Sequence, residues 1–366
     1  MKIKSIVFSA GLASLLILAG CKEKSSDNNV STVSKPAKTA AVAPTDELAK
    51  RVLAMGLKPI PTDPEELRKL TEDVNNTFTK EKIELGKKLY FDPRLSQSNL
   101  ISCNTCHNLA LGGVDGVEAA IGDKWNANPH HLNSPTVYNS VFNKSQFWDG
   151  RSPHLEDQAQ GPMQAEVEMA SPKGLIEQRV TSIPAYVEEF KKAYGDDVKI
   201  TFELIARTIG LFERTLVTPS RFDDFLNGDN NALTAEEKEG LKLFADKGCT
   251  ACHTGIALGG DMQSFDTQGI YKYKDVGDFK GDANKMVKTP TLRNIEETAP
   301  YYHNGKVWTL KEAIQEMGRV QLNTQISDDD AAKIETFLKS LTGRKPAITY
   351  PVLPASTTKT PQPIVK

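Results

Sequence analysis

Two short stretches of the chain carry the residue types with the most specific chemistry. Cys103 to His107 reads C-N-T-C-H, and Cys249 to His253 reads C-T-A-C-H. In an exported protein, two thiols at this spacing form thioethers to the vinyl groups of one haem. The adjoining histidine then lies against the iron as its proximal ligand. The two motifs therefore predict two covalently bound haem c groups.

The same residues admit two other interpretations. The two cysteine pairs, which end at Cys106 and Cys252, could together supply four thiolates to a structural zinc ion. A C-x-x-C pair alone also suits thiol–disulfide exchange. However, the pairs lie far apart in the chain, unlike those of a compact zinc ribbon, and neither interpretation needs a histidine directly after each pair. The complete motif occurs twice and uses four of the five cysteines, so covalent haem is the favoured interpretation.

The beginning of the chain is typical of an export signal. Lys2 and Lys4 precede an apolar run from Ile6 to Leu18, which ends in L-A-G-C at Cys21. This ending resembles the bacterial lipobox, in which the cysteine is lipidated and becomes the mature N-terminus. A short membrane anchor is the alternative, but the run is shorter than the roughly 20 residues that span a bilayer. Residues 1–21 are therefore predicted to be a lipoprotein signal with Cys21 as the lipidated residue.

Residues 22–60 are predicted to form a flexible tether. From Lys22 to about Thr45 the chain is rich in Ser, Lys, Ala, Asn and Pro, with no large apolar cluster. Together with the lipobox, this composition predicts a soluble protein body that a lipid anchor holds in the periplasm. Lys22 replaces the Asp that often retains lipoproteins in the inner membrane, which favours the outer membrane. The net charge of -2 argues against a nucleic-acid partner.

Helical patterns dominate the rest of the chain, and one of them is repeated. Residues 79–91 contain G-K-K-L-Y-F, residues 234–244 contain G-L-K-L-F, and each segment precedes a C-x-x-C-H motif. Thr234 and Glu237 fit a capping box at the start of the second copy. The repeat predicts two related helical haem domains.

The predicted fold is mainly α, with two cytochrome-c-like helical domains that each bind one haem covalently. The N-terminal domain is expected over residues 61–226 and the C-terminal domain over 227–343. Residues 344–366 are rich in proline and show little periodicity, so they are predicted to lie extended over the surface. Strand signals are few.

Further motifs link the chain to a known family. From about residue 79 to 343 the chain resembles the bacterial di-haem cytochrome c peroxidases. The segments that carry the resemblance are N-S-P-T-V at 133–137, F-W-D-G-R at 147–151, Q-A at 158–159, G-P at 161–162, V-E-M at 167–169, T-P-T-L-R-N at 289–294 and T-A-P-Y-Y-H-N-G at 298–305.

The resemblance implies different roles for the two haems. The N-terminal haem is the peroxidatic site, where Glu168 falls on the catalytic acid/base and Gln158 on the amide that helps to place peroxide. Met317 falls on the distal ligand of the C-terminal haem, and thioether ligation raises the iron's reduction potential. Trp148 falls between the haems. For each residue a plainer role remains open: a surface carboxylate, core packing, or a domain-interface aromatic.

The resemblance also implies a calcium ion between the domains. Asn133, Thr298 and Pro300 fall on its ligands, and amide and carbonyl oxygens are reasonable ligands for Ca²⁺. The same Asn-Ser-Pro and Thr-Ala-Pro segments could be ordinary turns. A homodimer is implied by the same analogy.

One position departs from the family pattern. Members that rest in a closed form supply a distal histidine to the peroxidatic haem from a G-H-x-W stretch, whereas this chain reads G-D-K-W, with Asp123 at that place. Two hypotheses follow. The first haem is open and needs no reductive activation, or His130 or His131 reaches the iron from the following loop.

These observations predict an enzyme that reduces hydrogen peroxide to water with electrons from a small cytochrome c or cupredoxin. Three alternatives remain. The chain could be a di-haem electron carrier or a peroxide sensor without efficient turnover. It could also be a protein-modifying oxidase like the methylamine-utilisation enzyme, which uses Tyr where the peroxidases use the Met that falls on Met317.

Overall fold

The computed structural model describes residues 44–365, and the lipidation prediction at Cys21 lies outside this range. Its elements are mainly α-helices, which confirms the predicted fold class. Within this range no helix has the length and apolar character needed to cross a membrane. The helices are α1 (Glu47–Ala54), α2 (Pro64–Thr71), α3 (Lys80–Phe91), α4 (Cys103–Cys106), α5 (Leu155–Gln158), α6 (Gln160–Gln164), α7 (Lys173–Thr181), α8 (Pro184–Tyr194), α9 (Phe202–Glu213), α10 (Arg221–Leu226), α11 (Ala235–Asp246), α12 (Leu310–Gln321) and α13 (Asp328–Lys339).

Short polar side chains start the helices, as their sequences indicate. Asp63 accepts hydrogen bonds from two N–H groups of the first turn of α2, at 2.8 and 3.1 Å. Thr234 and Glu237 form the predicted capping box of α11, in which each side chain accepts from the other residue's N–H. These bonds satisfy N–H groups that have no partner within the helix.

The repeated sequence forms the same helix crossing twice. Helix α3 packs on α9 and α11 packs on α13, and a glycine lies at each crossing point. A Cβ atom on Gly86 would lie 2.2 Å from the carbonyl oxygen of Thr208, and one on Gly240 would lie 2.1 Å from that of Lys333. Only glycine permits these backbones to approach so closely. The sequence repeat therefore reflects a packing requirement that both helix pairs share.

Each crossing belongs to its own hydrophobic cluster, and the start of the described chain packs into the second one. Ala49 and Val52 of α1 are fully buried there, with Asp46 as the cap of the helix. The tether predicted over 22–60 is therefore wrong from Asp46 onward. Hydrophobic residues of α10 join the same cluster, so the packing changes from the first cluster to the second between Leu216 and Phe222.

The tail after residue 343 has no helix or strand within the described range and lies along the first domain. The guanidinium of Arg179 is buried and donates to the carbonyl oxygens of Pro361 and Gln362 at 3.3 and 3.0 Å. Arg94 donates to the carbonyl oxygen of Pro354 at 2.8 Å. Two arginines thus hold the extended tail through its backbone.

One small sheet lies beside the second haem motif. Strands β1 (Met262–Ser264) and β2 (Met286–Lys288) are antiparallel, and Met262 pairs with Lys288. The N–H of Lys288 donates to the carbonyl oxygen of Trp148 at 2.8 Å. The sheet therefore joins the segment of Trp148 to the second half of the chain.

Candidate functional site: two cavities, each with one C-x-x-C-H motif

The two motifs line two separate cavities. Cys103, Cys106 and His107 line the first, which has a volume of about 210 Å³. The second motif, from Cys249 to His253, lines the larger cavity of about 650 Å³. The residues that line both cavities, here called the shared wall, are Asn133, Ser134, Pro135, Thr136, Asn143, Trp148 and Lys288.

Both motif histidines are prepared for metal ligation in the same way. Nδ1 of His107 lies 2.9 Å from the carbonyl oxygen of Pro135, and Nδ1 of His253 lies 3.0 Å from that of Leu258. A carbonyl oxygen only accepts, so each Nδ1 carries the proton and each Nε2 keeps its lone pair for a metal. Burial also lowers the pKa of both imidazoles, which favours the neutral, ligating form.

The four thiols fit haem attachment better than zinc or redox chemistry. All four are free of disulfides. Burial raises the pKa of Cys106 to about 12 and that of Cys249 to about 11, so both remain thiols at neutral pH. No cluster of three or more His, Cys, Asp or Glu side chains that could hold a metal ion occurs between residues 44 and 365. The pairs lie in different cavities, which excludes a four-thiolate site.

Met317 and the histidine of the second motif line the same cavity. Met317, on α12, lines this cavity together with His253, as its predicted ligand role requires. His303 also lines it, among the rings of Phe265 and Phe279 at centroid distances of 5.3 and 5.6 Å. Burial lowers the pKa of His303 to about 4, so this imidazole is neutral. The imidazole of His303 therefore lies among aromatic rings.

The first cavity contains the two residues expected to manage protons. Glu168 and Gln158 line it together with His107. Burial raises the pKa of Glu168, and the positive charge of Arg151 partly opposes this rise. The neighbouring acids are elsewhere: Glu166 is exposed and Glu156 forms a two-bond ion pair with Arg214 at 2.6 and 2.8 Å. The structure thus separates Glu168 from these two glutamates.

Asp123 supports the backbone of Glu168. Its buried carboxylate accepts from the N–H of Ser98 at 3.2 Å and from the hydroxyl of the same residue. Its own N–H donates to the carbonyl oxygen of Glu168 at 2.6 Å. A Cβ atom on Gly122 would lie 2.0 Å from the carbonyl oxygen of Val167, so glycine allows these loops to meet. Asp123 therefore holds the loop of Glu168 through its backbone and is not among the residues that line the first cavity.

The two candidate replacement ligands point to other partners. Nδ1 of His130 lies 2.8 Å from a carboxylate oxygen of Asp278, and Nε2 of His131 lies 3.6 Å from one of Glu118. Neither histidine lines the first cavity, whose lining among the described residues contains one imidazole, that of His107. Within residues 44–365, neither hypothesised replacement ligand therefore shares the first cavity with His107.

Trp148 connects the two cavities. Its indole N–H donates to the carbonyl oxygen of Asn133 at 3.0 Å, and its ring centroid lies 6.4 Å from that of His303. Asn133, Thr298 and Pro300, the expected calcium ligands, all line the second cavity. The Nδ2 group of Asn133 donates to the carbonyl oxygen of Val117 at 2.9 Å, so its amide oxygen is the atom left for a cation.

Comparisons with known proteins agree with this geometry. The family model described as di-haem cytochrome c peroxidase matches residues 80–231, and the cytochrome c model matches residues 237–342. The cytochrome c551 peroxidase of Pseudomonas aeruginosa is 46% identical over 336 residues, which cover 88% of this chain and 94% of that protein. The chain belongs to the di-haem cytochrome c peroxidase family.

Other relatives of this di-haem peroxidase point the same way. The cytochrome c551 peroxidase of Nitrosomonas europaea is 48% identical over 290 residues, 76% of this chain and 85% of that protein. The solved structure of a MauG-like protein associated with microbial copper homeostasis matches with a TM-score of 0.64 at 26% identity, over 74% of this chain and 92% of that one. The predicted family and enzyme class, a cytochrome-c peroxidase acting on hydrogen peroxide, are confirmed, and the family implies two haem c groups.

Two buried charged residues of this di-haem peroxidase were not predicted from the sequence. Lys288 is 5% exposed and belongs to the shared wall. Glu213, at the end of α9, lines the first cavity, and its Oε2 has no hydrogen-bond partner. Burial, with the nearby charge of Glu156, raises the pKa of Glu213 to about 8. Charged residues are normally solvated, so nothing in the local sequence indicates their burial.

Proposed function

We propose that this peroxidase reduces hydrogen peroxide to water in the first cavity, with electrons from a small periplasmic redox protein. The donor, a small cytochrome c or a cupredoxin, would deliver single electrons to the haem at His253 and Met317. The observation that carries the proposal is the composition of the first cavity, which Glu168 and Gln158 line together with His107 and, among the described residues, without a second imidazole.

The residues of the first cavity would manage the protons. Bound haem supplies the iron centre at which peroxide accepts two electrons. Glu168 takes the proton from one oxygen of hydrogen peroxide and returns it to the other, so that the second oxygen leaves as water. The amide of Gln158 orients peroxide by hydrogen bonding. The reaction consumes two protons and two electrons for each peroxide and yields two water molecules.

Trp148 is the proposed bridge for electrons between the haems. It lines both cavities, and its indole is held by a hydrogen bond to Asn133. A ring with a fixed orientation between two redox groups provides a defined path. This arrangement can be explained by electron transfer between the two haems of the enzyme, without a role as an electron carrier for other proteins.

The open first cavity suggests an enzyme that is active without prior reduction. The positions of His130 and His131 support this hypothesis, because Nδ1 of His130 is bonded to Asp278 and neither imidazole lines the first cavity. Steady-state peroxide reduction should be compared between the oxidised enzyme and enzyme pre-reduced by one electron, with a reduced small cytochrome as donor. Equal turnover and a high-spin ferric resonance from the first haem are expected.

The other outcomes of that experiment would contradict the proposal in different ways. Activity only after pre-reduction, with a low-spin first haem, would indicate that His130 or His131 moves onto the iron. The double variant H130A/H131A would then be active at once. Absence of activity in both states would favour an electron carrier or a peroxide sensor.

A calcium ion held by Asn133, Thr298 and Pro300 is part of the proposal. The amide oxygen of Asn133 and two neighbouring segments around the second cavity support it. A chelator should lower turnover and added Ca²⁺ should restore it, whereas N133A should show neither response. Chelator-resistant activity of the wild type would contradict the calcium site.

The proposed location is the periplasm, with a lipid anchor at Cys21 in the outer membrane. The signal-like start and the lipobox support it. Replacement of Cys21 by Ser should move the protein from the outer-membrane fraction to the soluble fraction. A wild-type protein that fractionates with the inner membrane would contradict the proposed membrane. The homodimer implied by the family resemblance stays a prediction.

A further inference from the structure

Lys288 is a buried cation on the wall between the two cavities. It ends strand β2, where its N–H bonds to the carbonyl oxygen of Trp148 at 2.8 Å and its backbone pairs with Met262. These contacts fix the position of the residue independently of its ammonium group. The side chain is 5% exposed and lines both cavities.

The ammonium group of Lys288 has no compensating anion among the described residues. Between residues 44 and 365 no hydrogen bond or ion pair involves its Nζ. The acid with the strongest influence is Asp149, which acts on Lys288 through longer-range electrostatics. The carboxylate of Asp149 is already bonded to Arg151 at 2.9 and 3.0 Å. Burial without such a partner disfavours the charged form and lowers the pKa of Lys288 to about 8.

A buried ammonium group is costly unless an anion pairs with it. An anion on a molecule that occupies either cavity would remove this cost, because Lys288 lines both. A haem c supplies such anions, because each macrocycle carries two propionate carboxylates. Its vinyl groups are fixed by the thiols, and the propionates lie at the opposite edge of the macrocycle.

The thiols that would tether the haems lie away from the shared wall. Cys103 and Cys106 line the first cavity only, and Cys249 and Cys252 line the second only. The shared wall thus holds no thiol, and a haem tethered by either pair can present its propionate edge there. We propose that Lys288 forms an ion pair with a haem propionate at the wall between the two haems.

This pairing would make Lys288 a residue that sets a reduction potential. A positive charge near a haem stabilises its reduced form, and neutralising a propionate acts in the same direction. Loss of the Lys288 charge should therefore lower the potential of the haem whose propionate it binds. The inference depends on two haems being bound, which the haem content measures. Peroxidase activity tests the proposed function separately.

The test compares K288M and K288Q with the charge-conserving variant K288R. Resonance Raman spectroscopy reports the propionate bending mode, and spectroelectrochemical titration reports both haem potentials. We expect a displaced propionate mode and a lower potential of one haem in K288M and K288Q, with wild-type behaviour largely retained in K288R. The haem that changes identifies which cavity supplies the propionate.

Lys280 provides the matched control. It also lines the second cavity, but it is exposed and its ammonium donates to the carbonyl oxygen of Lys274 at 2.7 Å. K280Q removes the same charge from a solvated position, so its effect on the propionate mode and the potentials should be much smaller. If K288M and K288Q bind both haems and keep the wild-type mode and potentials, the proposal is wrong. An equal shift in K280Q would also overturn it, since the effect would then be one of overall charge.

If K288M and K288Q lose haem, K288R decides the question. Haem content near the wild-type level in K288R, with an unchanged propionate mode, would support charge pairing. Equal haem loss in K288R would indicate that the lysine side chain is needed for packing only, which would contradict the proposal. Wild-type enzyme with two haems but no peroxide reduction would refute the proposed function and leave this inference testable.

Discussion

The two haem domains share a scaffold and differ in what faces the motif histidine. Both cross their helices at a glycine, and both fix the histidine through Nδ1 and a backbone carbonyl oxygen. The first cavity then presents the carboxyl group of Glu168, whereas the second presents the thioether of Met317. Under the proposed function, the shared scaffold prepares the metal ligand, and Glu168 or Met317 sets whether the haem serves proton chemistry or electron transfer.

The surroundings of the histidines extend this difference. In the first domain the hydroxyl of Tyr90 donates to the carbonyl oxygen of His107 at 2.6 Å. The equivalent place in the repeat is Phe244, whose ring centroid lies 6.4 Å from that of His253. A polar contact thus supports the first motif, and an aromatic ring lies beside the second. Five predictions test this comparison, beginning with the largest expected effect.

Removal of the Glu168 carboxylate should remove the proton transfer proposed for the first cavity, which is the main proposed difference between the two domains. In E168Q we expect kcat to fall by about 10²–10⁴-fold, the usual contribution of a general acid–base group, while the second haem keeps its potential. Stopped-flow peroxide reduction and redox titration measure the two quantities. E166Q is the control, because Glu166 is exposed and should be dispensable. Wild-type turnover in E168Q would remove Glu168 from the mechanism.

The helix crossings should respond alike to a larger residue. G86A and G240A each place a methyl group within 2.2 Å of a backbone oxygen, so each should lower the free energy of unfolding by about 1–3 kcal/mol or more. Thermal or denaturant unfolding of the haem-loaded protein measures the change. G174A is the control, since a Cβ there meets no atom within 4 Å. If G86A is tolerated and G240A is not, the two scaffolds are not equivalent.

Replacement of the Met317 thioether should affect electron entry and spare the first cavity. M317L keeps the volume of the side chain but removes the sulfur ligand, so the potential of the second haem should fall. Each 1.4 kcal/mol of driving force lost costs about tenfold in the electron-uptake equilibrium. Turnover with a reduced cytochrome should drop, whereas the first reaction of peroxide with pre-reduced enzyme should persist. An unchanged potential would show that Met317 is a packing residue.

Loosening the support of Glu168 should cost less than removing its carboxylate. D123A loses the bonds from Ser98 that anchor the segment bonded to the Glu168 backbone. We expect kcat to fall by about tenfold. This is less than the roughly 100-fold that a displacement of a catalytic group by about 1 Å can cost, because the carboxylate itself remains. D123N keeps an acceptor oxygen and should retain most activity. Equal activity of D123A and wild type would mean that the loop holds its position by other contacts.

Glu213 should make the stability of the protein depend on pH. Its pKa is raised from 4.5 to about 8 in the folded state, so between these pH values the folded protein binds more protons than the unfolded chain. The free energy of unfolding should therefore fall as pH rises through this window, by less than about 1.4 kcal/mol per pH unit. E213Q removes this titration and should flatten the profile. A profile unchanged by E213Q would place its titration outside this window.

Much of the fold could be predicted because the signals are local. The C-x-x-C-H motifs, the repeated glycine helix and the Thr234–Glu237 cap each depend on residues close together in the chain. Helix α1 was not predicted because it is short and flanked by polar sequence, and its burial depends on Leu241 and other residues far along the chain. Local patterns predict helices, but they do not predict which distant surface a short helix joins.

The candidate site could be predicted only in part. The family resemblance points to Glu168, and the structure separates it by position from the neighbouring Glu156 and Glu166. The histidines at 130 and 131 could not be located from sequence, because loop conformation decides whether a side chain reaches a cavity. Their contacts to Asp278 and Glu118 depend on residues brought together by folding.

The sequence by itself determined where the haems attach, since thioether chemistry requires only two thiols and a histidine at fixed spacing. The tertiary structure decided how the two haem sites differ. It brought Asp123 against the backbone of Glu168 and buried Lys288 between the cavities. Such placements depend on the packing of segments that are distant in the chain, and the spacing of residues along the sequence does not predict that packing.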